Sequence, residues 1–198
     1  MIDIHTHILP LVDDGSKSLE HSIELIKTQI ENGVTDIFLT PHLRGNFNLD
    51  EQTIKTAFAD FCNQVKQSGL EVNLYLGQEI YVSPETPNVN KVQQLISLND
   101  SKYLLIEFDF IEYTDIVETV YETARLGYIP IVCHLERYDY ADIEMAEQIK
   151  QHGGLIQVNA CSVVGENKDC KKLTKKLLKQ GLVVFVASDI HKGRKNCM

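Results

Sequence analysis

Two closely spaced pairs frame this 198-residue chain, His5 with His7 near its start and Asp189 with His191 near its end. Side chains of an extended strand alternate with a period of two, so each pair points to one side and can chelate a single ion. Between the pairs, Asp14, His42, Glu79, Glu107 and His134 each follow a short apolar run. Imidazole and carboxylate without thiolate suit borderline-to-hard divalent ions such as Mn²⁺, Zn²⁺ or Fe²⁺. An HxH or DxH is common by itself, and a lone His134 could equally be a satisfied core histidine. The nine residues together argue otherwise, because gathering four carboxylates without compensating cations is severely unfavourable. If three divalent ions bind, their charge outweighs the carboxylates and leaves a local field able to attract phosphate.

Such residues can meet only if the elements before them are arranged alike. Strand-like runs fall at Ile2–His5, Thr35–Thr40, Val72–Leu76, Tyr103–Glu107, Ile129–Cys133, Leu155–Val158 and Val183–Ala187. Several are continuous apolar stretches, as expected of strands buried on both faces. Helical stripes separate them: Leu19, Ile23, Ile26 and Ile30 before Gly33; Ile54, Phe58, Phe61 and Val65 before Gly69; and Ile116, Val117, Val120, Tyr121 and Ala124 before Gly127. Two more span 142–152 and Leu173, Leu177 and Leu178, each ending at a glycine. The lysines at 171, 172, 175, 176 and 179 then form a solvated helix face. Repeated β–α units predict a parallel sheet with outer helices, and seven strands suggest a closed or nearly closed barrel; an open doubly wound sheet is the alternative. In a barrel all nine candidates lie at the carboxyl-terminal face, where such folds assemble active sites. His21 and His152 fall inside helices and read as surface residues. One domain over 1–198 is expected, with no helix after the seventh strand; either the chain is cut short or a partner, a second copy included, covers that edge.

Composition excludes several classes. A net charge of −9 argues against broad nucleic-acid or anionic-membrane binding. No apolar run approaches the roughly 20 residues that span a bilayer, and MIDIHTHILP does not read as a signal peptide, so the cytoplasm is expected. Five cysteines at irregular spacing argue for reduced thiols rather than a disulfide framework. Cysteine-based phosphatases place an arginine at the sixth residue after the nucleophile; here Ser68, Asp139, Asn167 and Lys176 stand at those places after Cys62, Cys133, Cys161 and Cys170.

The segments MIDIHTHILPLVDDGSKS, TPHLRG, GQEIY, LIEF, CHLERYD, QVN and ASDIHKGR resemble, in order, the polymerase-and-histidinol-phosphatase (PHP) family, and more narrowly its bacterial tyrosine-protein phosphatase branch. The resemblance runs from residue 1 to about residue 194. It implies a distorted (β/α)7 barrel and a manganese centre of three ions, serving capsular and exopolysaccharide synthesis. It further implies that His5, His7, Glu79 and Asp189 hold one ion. Glu79, Glu107 and His134 hold a second, and Asp14, His42 and His191 a third. Arg137 and Arg194 match the arginines that grip the phosphate. The family usually continues past this point through a final helix, which is absent here.

The expected mechanism is attack by a metal-activated hydroxide on phosphotyrosine, with charge stabilised by the third ion and the arginines. A tyrosine-kinase tail is the substrate that the resemblance implies. A histidinol-phosphate-type phosphatase, a proofreading-type exonuclease and an inactive metal-binding docking domain are the competing readings; the acidic charge disfavours the exonuclease.

Overall fold

A computed structural model describes residues 1–45, 47–83, 95–165, 168 and 170–191. Every strand pairing in it is parallel. The strands are β1 (Ile2–Asp3), β2 (Asp36–Leu39), β3 (His42–Leu43), β4 (Asn73–Leu76), β5 (Glu79–Val82), β6 (Tyr103–Phe108), β7 (Ile129–Val132), β8 (Leu155–Asn159) and β9 (Phe185–Ala187). They form a three-stranded sheet, β1-β2-β4, and a six-stranded one, β3-β5-β6-β7-β8-β9.

Nine segments stand where seven runs are expected because two strands are interrupted and resume. Between β2 and β3 lies Pro41, which has no N–H for a ladder. Between β4 and β5 lies Gly77, where a Cβ would come within 2.4 Å of the Leu98 side chain. Both breaks fall just before a site residue, His42 and Glu79. The run expected over Ile2–His5 pairs as a strand only at Ile2–Asp3, and its continuation turns to the other end of the sheet. Thr6 bridges Ile190 in parallel, Asp189 N–H donates to His5 O (2.9 Å) and His7 N–H to Ile190 O (2.9 Å). These bonds curl the sheet so that the end of β9 meets the end of β1 at the carboxyl-terminal mouth.

The helices are α1 (Leu19–Glu31), α2 (Glu51–Gln67), α3 (Ile116–Arg125), α4 (Ile143–Gln151), α5 (Ala160–Val164) and α6 (Lys171–Lys179). Ser18, Asp50, Asp115 and Asp142 cap the first four by accepting from backbone N–H groups of the first turn. On α1 the expected stripe of Leu19, Ile23, Ile26 and Ile30 packs against the core, and Ser22, Leu25 and Gln29 are buried beside it. The polar pair is buried because it is satisfied: Ser22 Oγ donates to Ile8 O (2.6 Å), and Gln29 Nε2 to Asp3 Oδ2 (2.8 Å). The short α5 has no counterpart in the sequence reading. On α6 the lysines are exposed, as expected.

Apolar side chains fill the space between sheet and helices. One cluster joins Ile80, Leu104, Ile106, Phe108, Val120, Val132, Ile149 and Val158, and another Leu25, Ile26, Ile37, Leu39, Ile54 and Phe61. Val184, just before β9, and Val186 within it are 53% and 45% exposed, so no helix among the described residues covers them.

Candidate metal centre

The mouth of the curled sheet is built from polar residues that follow the strand ends. His5 and His7 lie just beyond β1, His42 opens β3, Glu79 opens β5, Glu107 sits near the end of β6, and His134 and Asp189 follow β7 and β9. His5, His7, His42, Glu79, Glu107 and His134 are at most 4% exposed. Two of the set adopt left-handed backbone, His134 at φ 34° and Asp189 at φ 53°. Such strain in non-glycine residues persists where the surroundings dictate it, and it clusters at functional sites.

All nine residues singled out from the sequence converge. His5 Nε2 lies 3.1 Å from Glu79 Oε1 and 3.5 Å from Asp189 Oδ1, and His7 Nε2 lies 3.3 Å from Glu79 Oε2 and 3.6 Å from Asp189 Oδ1. His134 Nε2 stands 3.1 Å from Glu79 Oε1 and 3.8 Å from Glu107 Oε1. Asp14 Oδ1 is 3.4 Å from His42 Nε2 and 3.5 Å from His191 Nε2. Two donors at about 2.1 Å from one ion lie roughly 3.0–3.4 Å apart at octahedral or tetrahedral angles, so this spacing suits shared ions.

Donor atoms within 4.8 Å of one another form four overlapping groups: His5, His7 and Asp189; His5, Glu79, Cys133 and His134; His42, Glu79 and Glu107; and His7, Asp14, His42 and His191. These resemble the three expected ligand sets, with differences. His7 joins the Asp14 group, and His42 reaches Glu79 with Nδ1 at 2.6 Å. Cys133 also enters. Burial first, then the Glu79 and Glu107 charges, push its thiol well above the usual range. It is therefore a neutral donor, to Ile106 O (3.0 Å) and Glu79 Oε1 (3.3 Å).

The hydrogen bonding fits a metal better than protons alone. Asp14 Oδ1 is a buried atom without a hydrogen-bond partner among the described residues, facing His42 Nε2 and His191 Nε2. Unsatisfied buried groups of this kind call for an ion or a water. His5 Nε2 and His7 Nε2 face each other at 3.2 Å, as do His42 Nε2 and His191 Nε2 at 3.4 Å. The far ring nitrogens are held from behind: His5 Nδ1 donates to Gln157 Oε1 (3.1 Å), His7 Nδ1 to Asp13 Oδ2 (2.7 Å) and His191 Nδ1 to Asp189 O (3.0 Å). This arrangement fixes each ring and aims Nε2 inward.

Without cations the cluster holds protons. Burial pulls the His5 imidazole down, but Glu79 and Asp189 outweigh it and push it up to about 9. Burial, then the Glu79 charge, raise Glu107 to about 8. Burial and the neighbouring His7 hold His191 down at about 4. Burial opposes ionisation of Asp13, but its hydrogen bond to His7 prevails and lowers it to about 2.

Sequence reasoning missed the supporting shell. Asp13 is buried beside Asp14 and also accepts from Gly15 N (2.9 Å) and His42 N (3.1 Å). Its only signal was the pairing of two aspartates in VDDG, of which Asp13 is the first. Gly15 is required there, since a Cβ would lie 2.2 Å from His7 O. Gln157 also accepts from His134 N (3.0 Å), while Asn159 Nδ2 donates to Asp189 Oδ2 (2.9 Å), giving the QVN segment its role. His21 lies in the first turn of α1, where its Nδ1 accepts from Lys17 N (3.4 Å), and His152 is exposed.

Two arginines rim the cluster. Arg137 Nη1 donates to Asp189 Oδ2 (3.1 Å) with its guanidinium 4.3 Å from the Phe110 ring centre. Arg44 Nη1 donates to Glu107 Oε2 (3.1 Å) and was not singled out from the sequence. Arg194 lies outside the described residues.

A curled parallel β/α sheet with a histidine–carboxylate cluster at its carboxyl-terminal mouth defines the class, a metal-dependent hydrolase. Comparison with known proteins narrows it. The family model for capsular polysaccharide synthesis, CpsB/CapC, matches residues 1–197, and the chain belongs to that family. CapC of Staphylococcus aureus is 37% identical over 96% of this chain and 77% of its own length. The tyrosine-protein phosphatase YwqE of Bacillus subtilis is 33% identical over 96% of this chain and 77% of its own length. A solved structure from work on YwqE and on CpsB of Streptococcus pneumoniae, described as metal-dependent tyrosine phosphatases, superposes with a TM-score of 0.89 at 31% identity. That match covers 98% of this chain and 81% of the solved one. A HisK protein from Listeria monocytogenes matches at a TM-score of 0.55 and 13% identity over 96% of this chain and 95% of its own, which speaks to the fold alone.

Proposed function

We propose that this chain is a metal-dependent protein-tyrosine phosphatase, a single domain over residues 1–198, using the nine residues above as ligands. The observation that carries the reading is the convergence of donor groups on the buried Glu79, which contacts His5, His7, His42 and His134 at 2.6–3.3 Å. The proposed assignment gives His5, His7, Glu79 and Asp189 to one ion. Glu79, Glu107 and His134 take a second, and Asp14, His42 and His191 a third. Manganese is the proposed metal; zinc or iron would suit the same donors. Bound divalent ions supply Lewis acidity, bringing a water's pKa toward neutrality and offsetting phosphoryl charge.

The chain's own residues do the rest. Asp13, Gln157 and Asn159 hold His7, His5 and Asp189 in place. Arg137, braced on Phe110, is positioned to grip a phosphoryl oxygen, and Arg194 is the second arginine we assign to that task. The departing phenolate has a pKa of about 10, so it leaves with little protonation. The thiol of Cys133 is buried and hydrogen-bonded, which leaves no role for it as a nucleophile. We infer a substrate carrying phosphotyrosine on the tail of a tyrosine kinase that governs polysaccharide export. The family's place in capsular synthesis supports that step. No helix among the described residues is long and apolar enough to cross a membrane; the proposed compartment is the cytoplasm, with a homo-oligomer as the proposed assembly.

The test is to assay protein purified with Mn²⁺ against phosphotyrosine peptide, phosphoserine peptide and histidinol phosphate, each with and without EDTA. EDTA-sensitive release from the phosphotyrosine peptide alone is expected. Preference for histidinol phosphate would move the reading to a small-molecule phosphatase, and no turnover despite bound metal would leave a docking domain.

A further inference from the structure

We propose that Arg44 is a phosphate-binding residue of this site in addition to Arg137; the inference rests on the phosphatase reading and deepens it. Arg44 follows β3 and is held by a tight reversal in which Phe47 N–H donates to Arg44 O (2.8 Å), with Arg44 and Phe47 paired antiparallel. The Phe47 ring stacks back over His42, their centres 6.1 Å apart. This reversal turns the Arg44 side chain over the mouth. Its Nη1 lies 3.1 Å from Glu107 Oε2 and its Nη2 3.9 Å from Asp14 Oδ2. The guanidinium carbon sits 5.9 Å from the Tyr81 ring centre.

The placement mirrors Arg137. Each arginine donates through one nitrogen to a carboxylate of the cluster at 3.1 Å, Arg137 to Asp189 and Arg44 to Glu107. Each lies over an aromatic ring, Phe110 or Tyr81. Each side chain is about one-third exposed, 35% for Arg137 and 31% for Arg44, so both can be reached from solvent. Arg44 also spans carboxylates of two different donor groups, Glu107 beside Glu79 and Asp14 beside His191. When those carboxylates turn their charge to cations, their hold on the guanidinium weakens. Its planar fork of five donors then matches a tetrahedral oxyanion lying between the two groups. Arg44 thus offers donors beside Glu107 and Asp14, as Arg137 does beside Asp189.

A purely structural arginine would serve to neutralise Glu107 and Asp14, and its loss would unsettle the metal ligands. A phosphate-binding one would leave them in place. The test therefore uses Mn²⁺-loaded wild type, Arg44→Ala and Arg44→Lys, with metal content measured by elemental analysis and inorganic phosphate binding by calorimetry. For Arg44→Ala we expect unchanged manganese content, phosphate binding weaker by about tenfold or more, and kcat/KM on phosphotyrosine peptide lower by roughly 100–1000-fold, the range for losing an oxyanion donor. Arg44→Lys keeps the charge but not the fork, and should recover only part of the phosphate affinity. Loss of manganese from Arg44→Ala, or phosphate affinity equal to wild type, would overturn the assignment. Phosphate binding is read without turnover, so it judges Arg44 even if wild type hydrolyses a different phosphoester.

Discussion

The cluster depends on residues that never need to touch an ion. Asp13 is the clearest: its carboxylate takes the His7 Nδ1 proton at 2.7 Å and the backbone N–H groups of Gly15 and His42. Asp13→Asn keeps the shape but can present an amide where His7 needs an acceptor. Loss of such a supporting partner typically costs about 10–100-fold in metal affinity or activity. The expected outcome is weaker Mn²⁺ binding by calorimetry with unchanged circular dichroism; wild-type affinity would show that His7 needs no anchor. Replacing a proposed ligand is harsher. His134→Ala or Asp189→Ala should abolish measurable phosphotyrosine hydrolysis, and retained turnover would refute the ligand assignment. The residues of the cluster were legible in the sequence because nine histidines and carboxylates follow apolar runs, too many to be explained together as core. Asp13 was not, because two adjacent aspartates offer no means of telling which faces the ions and which faces a histidine. Arg44 was equally silent, since an arginine in a polar loop signals nothing until its neighbours are known.

At the scale of elements, the sequence spoke most clearly where strands are long and apolar. Tyr103–Phe108 and Ile129–Val132 fall where the patterns LLIEF and IPIV placed them. β3 and β5 were illegible because two or four residues after a proline or glycine show no periodicity, although they carry His42 and Glu79. On α1 the stripe was legible but its buried neighbours were not: Ser22 and Gln29 are held by specific hydrogen bonds that no hydropathy pattern encodes. The tight turn after His7 tests this scale. At Gly15 a Cβ would meet His7 O at 2.2 Å and His7 Cβ at 2.5 Å, both parts of a rigid, buried segment. Gly15→Ala must therefore shift the VDDG turn, moving Asp13 and Asp14 together. We expect metal content and activity to fall while helical content, set by α1 to α6, stays near wild type. Full manganese occupancy in Gly15→Ala would show that the turn can open without cost to the site.

For the whole molecule, the question is what a chain of net charge −9 gains by concentrating carboxylates in one mouth. Without cations, the cluster binds protons in their stead, and this ties stability to pH. His5 rises from an ordinary 6.5 to about 9 and Glu107 from 4.5 to about 8, so between pH 6.5 and 9 the folded chain holds protons that the unfolded chain has released. Stability falls with rising pH wherever the folded state binds more protons. For His5 the gain is fully present below 6.5 and is lost on passing 9. For Glu107 folding is progressively opposed as pH climbs from 4.5 to 8. The depressed His191, at about 4, acts in the opposite sense only below its ordinary 6.5 and is silent in this window. Metal ions compete for the same atoms, so their affinity rises as these protons leave, and ligand binding to the folded state raises the melting temperature. The two effects diverge. The EDTA-treated protein should melt at lower temperature at pH 8.5 than at pH 7, while the increment given by saturating Mn²⁺ should grow over the same interval. Thermal denaturation at pH 7, 7.75 and 8.5, with and without metal, reads both slopes; a metal increment that is flat or shrinks with pH would mean that the protons and the ions do not share this site.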